Sequence, residues 1–427
     1  QQEVDRILRE HYVDSSEKEM IKSRIREQGE YKLLGPVRVR LDERRDRYWA
    51  EMPAIDQRFV RIAPRVLEDY GEALLCGGAW GTATVEYDAT FEEKGVKYPF
   101  NLREFRPLQV TGVTLEDYRR KREQFSDEEW IDLLILTIGF QPEHFTPREK
   151  MLFLLRLVPY VEKNYNLLEL GPRQTGKTYI NQNTSGKAFI ISGSTVTPPT
   201  LFYNANTRRV GLLGTMDVVF FDEIARTTFS NAEDTLNILK QYMQSGQFTR
   251  SGQAFQSQAS ISLSGNIECD LERKRPLDRY AHLFEALPPE MRDDSAFLDR
   301  LHAYLPGWEL PKIMPERYAG GYGFLTSYFA EVLSLLRREN YQTHVNRFVD
   351  FGKTNDRDQT GVKKTASGLL KLLYPHRTPD TITAAEFKPC LELAVECRQR
   401  IIDQLKAIAP SEFGYARLRE SIRVLNS

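Results

Sequence analysis

The chain has 427 residues, 41% of them hydrophobic and 28% charged, which is enough length for two to four domains and enough apolar content for real cores. That excludes a disordered polypeptide, and the formal net charge of −1 excludes a globally basic surface, leaving only local basic patches for nucleic acid. The longest apolar stretches, such as residues 131–138, fall far short of a membrane span, so no membrane partner is expected. The four cysteines (Cys76, Cys269, Cys390, Cys397) lack metal-ligand spacing and the six histidines do not cluster with them, which predicts free thiols in a reducing, cytoplasmic setting. Gln1 and Gln2 stand where an initiating methionine would, the pattern expected of a fragment.

Residues 1–30 read as a charged helical segment with a narrow apolar stripe that includes Ile7, Leu8, Ile21 and Ile25. Residues 31–112 alternate in short runs, among them Val37-Arg-Val39-Arg-Leu41 and Trp80-Gly-Thr-Ala-Thr-Val-Glu-Tyr87, and predict a small OB-like β domain. Arg38, Arg40, Arg44, Arg45 and Arg47 fall within ten residues there, beside Trp49. They suit a nucleic-acid contact on a barrel hairpin, or equally a solvated hairpin balanced by Asp42, Glu43 and Asp46. Residues 113–310 open with helices, one announced by the capping box Ser126-Asp-Glu-Glu129, and then alternate strand and helix as a parallel α/β sheet requires. Residues 311–427 are helical, and Thr383-Ala-Ala-Glu386 caps the last long helix.

The phosphate-binding signal is Gly171-Pro-Arg-Gln-Thr-Gly176-Lys177-Thr178, directly behind the apolar run Tyr165-Asn-Leu-Leu-Glu-Leu170. Its pattern G-x-x-x-x-G-K-T places Gly171, Pro172, Arg173, Gln174, Thr175 and Gly176 around phosphate oxygens. Lys177 reaches the β/γ-phosphates, and the Thr178 hydroxyl is a ligand for Mg²⁺. The helix that begins near Lys177 turns the positive end of its dipole to the same anion. The implied cofactors are ATP and Mg²⁺.

Three further elements extend binding towards hydrolysis. Asp217-Val-Val-Phe-Phe-Asp222-Glu223 is a buried strand ending in two carboxylates, with Asp222 a candidate Mg²⁺ ligand and Glu223 the candidate base for the attacking water. Ser260-Ile-Ser-Leu-Ser-Gly-Asn266 ends a strand on a polar amide suited to sense the γ-phosphate. Phe297-Leu-Asp-Arg300-Leu-His302 offers an arginine that in ring ATPases projects into the neighbouring subunit's site, and that is otherwise a helix arginine paired with an aspartate. Between Glu223 and Asn266, Gln247-Phe248-Thr-Arg250-Ser-Gly252-Gln253 reads as a hairpin with Phe248 and Arg250 near its tip, suited to a threaded DNA backbone.

These residues, with Ser192-Gly-Ser-Thr-Val-Thr, Leu201-Phe-Tyr-Asn204, Val210-Gly-Leu-Leu-Gly-Thr-Met-Asp217, Tyr242-Met-Gln-Ser-Gly246, Phe297–Trp308 and Lys363-Lys-Thr-Ala-Ser-Gly-Leu-Leu-Lys-Leu-Leu-Tyr-Pro375, closely resemble the BrxL family of type I BREX phage-defence systems. The resemblance runs over nearly the whole chain. It implies a Lon-protease-like AAA+ ATPase, similar in its core to MCM helicases. It further implies a homo-oligomer, hexameric or as stacked rings, that binds double-stranded DNA and works with other BREX proteins. It also carries the sensor 2 role to Lys364, although the usual residue in that role is arginine. No segment resembles the Ser/Lys dyad of the family's Lon-like domain, so peptidase activity is not expected of these residues. Two rival readings remain at this level. One is a DNA-binding scaffold whose assembly ATP controls with little turnover. The other is the ATPase module of a Lon-like protease, for which no aromatic-hydrophobic-glycine channel loop is evident.

Overall fold

A computed structural model describes residues 18–42, 47–76, 78–93, 95–107, 113–414 and 417–425. The chain divides into two compact units, Gln1–Gly112 and Val113–Ser427.

In the first unit the alternating runs become β1 (Glu30–Asp42), β2 (Arg47–Met52), β3 (Gln57–Ile62), β4 (Ala79–Tyr87) and β5 (Phe100–Pro107). They close into a barrel in the order β1-β2-β3-β5-β4. The 13-residue β1 serves two partners, pairing with β4 along its first half and with β2 along its second. Every pairing is antiparallel except β3 with β5. Alternation puts Leu33, Val37, Val39, Ala83, Val85 and Leu102 into the barrel core, the period-2 burial expected of a sheet with one wet face. Helix α1 (Lys18–Gln28) buries Ile21 and Ile25 against this core. A second helix, α2 (Pro64–Cys76), joins β3 to β4 where the sequence reading expected only strands.

Arg44 and Arg45 lie outside the described residues. Their neighbour Trp49 corrects one expectation. It is fully buried, with its ring against Phe59 and Tyr98, and offers no face to a nucleobase. Arg40 pairs with Glu51 and Arg47 with Glu93, carboxylates other than those the solvated-hairpin reading named.

The second unit begins with α3 (Leu115–Arg122), α4 (Asp127–Thr137) and α5 (Pro147–Leu155). Both halves of the Ser126/Glu129 capping box form at the start of α4. Helix α5 stops at Leu155, and the chain turns helical again for a single turn, Val158–Val161. The sheet that follows comprises β6 (Asn166–Gly171), β7 (Ala188–Ser192), β8 (Val218–Asp222), β11 (Ser260–Asn266) and β12 (Ala303–Pro306). Between β8 and β11 lie α7 (Ala232–Ser245) and the hairpin β9 (Gln247–Arg250)/β10 (Gln253–Gln256), and α6 (Lys177–Thr184) follows β6. The strand order is β12-β6-β11-β8-β7, parallel throughout. Near-continuous burial of β6, β8 and β11 fits strands covered on both faces. The long helices after the sheet are α8 (Thr326–Arg338), α9 (Asp356–Leu373) and α10 (Ala384–Ile408), the third capped by Thr383 and Glu386. Among the described residues, no helix is long and apolar enough to cross a membrane.

Candidate functional site

Parallel strands deliver their carboxyl ends to one edge of the sheet, where open α/β sheets bind ligands. The C-terminal ends of β6, β8 and β11 meet there, with Gly171 in register with Asn266. Gly171 has no room for a side chain, because an added Cβ would stand 2.5 Å from the Gly307 carbonyl carbon. Gly176 has φ +78 and a Cβ there would meet the Phe140 ring at 2.7 Å, so both fixed glycines of the motif are required sterically. Pro172 is buried, Arg173 and Gln174 are exposed, and Gln174 adopts the left-handed φ of 66.

Lys177 is buried, and its ammonium donates to Asn266 Oδ1 at 3.0 Å, Gly265 O at 3.0 Å and Gly171 O at 3.3 Å. Burial pushes its pKa below the ordinary lysine value. The Thr178 hydroxyl donates to Asp222 Oδ2 at 2.6 Å, and Ser264 Oγ donates to Asp222 Oδ1 at 3.3 Å. Lys177 with Asn266 and Thr178 with Asp222 are thus two hydrogen-bonded pairs, set side by side because Lys177 and Thr178 are consecutive. Glu223 follows at φ +50, and its carboxylate accepts from Arg226 Nη1 at 3.0 Å. No group of three or more His, Cys, Asp or Glu side chains is placed to hold a metal among the described residues.

This edge fits a magnesium nucleotide. The loop leaves no space for side chains at its two glycines, a buried cation faces the loop, and a hydroxyl and a carboxylate stand 2.6 Å apart. Such a donor pair suits Mg²⁺, which keeps several waters and takes one or two protein ligands together with substrate phosphates.

Sequence reading missed the support beneath the loop. Arg156, from just after α5, is buried and forks onto Glu169 in the middle of β6 at 2.6 and 2.9 Å. Its third arm donates to Thr175 O at 2.8 Å, tying the loop to the sheet. A glutamate in the middle of a fully buried strand was the available signal, since such a charge requires a partner.

Three expected site residues lie elsewhere. Arg300 stands at the opposite end of the strands, where its carbonyl accepts from Asn166 Nδ2 at the start of β6. Gly171 lies five steps along the strand from Asn166, roughly 16 Å. The Arg300 guanidinium donates to Ala296 O and to Gln244 Oε1, the latter at 2.7 Å. Buried Arg398 fixes this corner by gripping Asp299, Asp358 and the Leu301 carbonyl. Lys364 requires a correction as sensor 2. Its Nζ donates to the carbonyls of Lys163 and Asn164, at 3.1 and 2.7 Å, just ahead of β6 and so at that same far end. Burial there lowers its pKa to about 8, and its donors are spent on backbone rather than facing phosphate.

Phe248 is corrected as well. In the hairpin Phe248 pairs with Phe255, and the two rings stack at 5.1 Å with Phe202 and Tyr242 around them, leaving Phe248 no exposed surface. An aromatic residue two register pairs back from the turn found a core to enter, while Thr249 keeps the wet face. Arg250 is half-buried next to the turn residues Ser251 and Gly252, both at positive φ.

Two family models match this chain. The BREX system Lon protease-like protein BrxL N-terminal model matches residues 1–87, and the Lon-like protease BrxL-like ATPase domain matches residues 100–419. The Lon-like protease BrxL of Escherichia coli O9:H4 (strain HS) is 38% identical over 413 residues, covering 96% of this chain and 58% of that protein. The Lon-like protease BrxL of Bacillus cereus (strain H3081.97) is 39% identical over 413 residues, covering 96% of this chain and 60% of that protein. The chain thus spans about three fifths of the length of these relatives. With an AAA+-type α/β ATPase domain and the family's N-terminal domain both matched, the chain belongs to the BrxL family.

Proposed function

We propose that this chain is an ATP-hydrolysing module that assembles into a ring, engages double-stranded DNA and acts in BREX anti-phage defence. The observation that carries the hydrolysis reading is the meeting of two hydrogen-bonded pairs, Lys177–Asn266 and Thr178–Asp222, at one sheet edge, with Glu223 beside them. Bound Mg²⁺ supplies positive charge against the phosphates, and Thr178 and Asp222 are the residues that would hold it. Lys177 neutralises phosphate charge, Asn266 orients the terminal group, and Glu223 takes the proton of the attacking water.

The ring reading draws support from Arg300. It stands at the sheet end away from its own phosphate loop, as an arginine serving a neighbouring subunit would. For the first unit we propose an OB-like fold, because strand order β1-β2-β3-β5-β4 with a parallel β3–β5 closure is a five-stranded barrel of that kind. The helices α8–α10 then act as the lid. DNA contact falls to the β9–β10 hairpin through Arg250 and through its exposed polar face, with Arg44 and Arg45 of the barrel as further candidates.

Replacing Arg250 by alanine should weaken duplex DNA binding several-fold at low salt and reduce the slope of log affinity against log salt by about one, with ATP affinity unchanged. A salt titration with identical slopes for both proteins would remove the hairpin from the DNA site. The function as a whole is tested by ATPase assays on size-fractionated oligomers with and without duplex DNA. Stimulation confined to the large oligomer supports the motor. DNA binding with little turnover in every fraction would support the scaffold instead.

A further inference from the structure

The phosphate loop and its carboxylates account for the charged half of a nucleotide and leave the base without a partner. After β12 the chain passes the loop as a strap over residues 312–318. The Ile313 N–H donates to Gln174 O at 2.7 Å, so this strap is hydrogen-bonded to the loop itself. The Ile313 side chain and the Phe140 ring both border Gly176, at 3.4 and 2.7 Å from the position a Cβ would take. Phe140 forms an antiparallel bridge with Tyr318, flanked by Gln141 N donating to Arg317 O and Ala319 N donating to Gly139 O, each at 2.9 Å. The Tyr318 ring lies 5.4 Å from that of Tyr179, the residue after Thr178.

Despite this anchoring, Met314 and Tyr318 are 48% and 43% exposed. A single exposed apolar side chain requires no explanation. Here two sit on a segment whose backbone is bonded to the phosphate loop at one end and to residues 139–141 at the other. The nearby Gln141 amide is committed to the Gly320 N–H and to Glu143, so the strap offers faces rather than free amide groups. An aromatic surface fixed beside a triphosphate site matches the flat base of the same ligand.

We propose that Tyr318, with Met314 and Ile313, forms the platform on which the base of a bound nucleoside triphosphate stacks. The proposal rests on the nucleotide reading above and assigns it a second contact. Binding of Mg-ATP and of inorganic tripolyphosphate to the full chain, compared by calorimetry, tests it. Tyr318→Ala should weaken ATP about tenfold and leave tripolyphosphate unchanged, as loss of one base–aromatic stack requires. Tyr318→Phe should bind ATP as the parent does, because the ring and not the hydroxyl carries the contact. Unchanged ATP affinity in Tyr318→Ala would overturn the platform, as would equal weakening of both ligands, which reports damage to the loop. A change in oligomer size with ATP affinity intact would also overturn it and assign the patch to contact between copies. Lys177→Ala is the control for the parent reading. If that variant still binds ATP normally, the phosphate site itself is misassigned, whatever Tyr318 does.

Discussion

Glu223→Gln should bind ATP as tightly as the parent chain and turn it over at least about a hundredfold more slowly, the usual contribution of a positioned general base. The substitution conserves volume and removes only the basic oxygen. None of the contacts among Lys177, Thr178, Asp222 and Asn266 passes through the Glu223 side chain, so the phosphate and metal positions are preserved. Its side-chain partner among the described residues is Arg226, itself 66% exposed, and an ion pair this wet holds its members weakly. Fluorescent-nucleotide titration and phosphate release measured on the same preparation check the two halves of the expectation. Turnover within threefold of the parent rate would remove Glu223 from the catalytic role.

The second large effect is expected beneath the loop. Glu169→Ala leaves the Arg156 guanidinium buried without its counter-charge, which costs about 3–5 kcal/mol for a pair of this kind. In a unit of this size that should lower the melting temperature by roughly 10 °C. The double variant Arg156→Met/Glu169→Leu should regain most of this loss, since apolar side chains of similar volume replace buried ion pairs at little cost. It should not regain ATP affinity, because Thr175 O still lacks the donor that Arg156 supplied at 2.8 Å. Thermal melts and ATP titrations of both variants separate the two effects. A double variant with full stability and full ATP affinity would show that the pair does nothing for the loop.

Much of the site could be read along the chain because its signals are local. A phosphate loop, a strand ending in paired carboxylates and a strand ending in an amide are each written within about eight consecutive residues, and sheet order brings them together. The readings that failed depended on what packs against what. Phe248 sits where a hairpin tip was expected, yet its partner is Phe255 across the ladder, and alternation turned both rings inward. Lys364 lies in a motif near the chain's end, but helix α9 carries it to the carbonyls of Lys163 and Asn164 rather than to the loop. Arg156 and Glu169 are thirteen residues apart and find each other only once α5 and β6 pack. Helix α2 was hidden among short strands, where periodicity over so few turns is easily lost.

The hydrogen bond from Arg300 to Gln244 has a mechanical consequence. Gln244 belongs to the last turn of α7, two residues before Gly246 turns the chain into the β9–β10 hairpin. A guanidinium can be held by this amide or extended beyond its own subunit, but not both at once. In the proposed ring, reaching outward would give up this contact with the last turn of α7. The group proposed to report on a neighbour's phosphate is thus also tied to the helix that leads into the hairpin proposed to touch DNA.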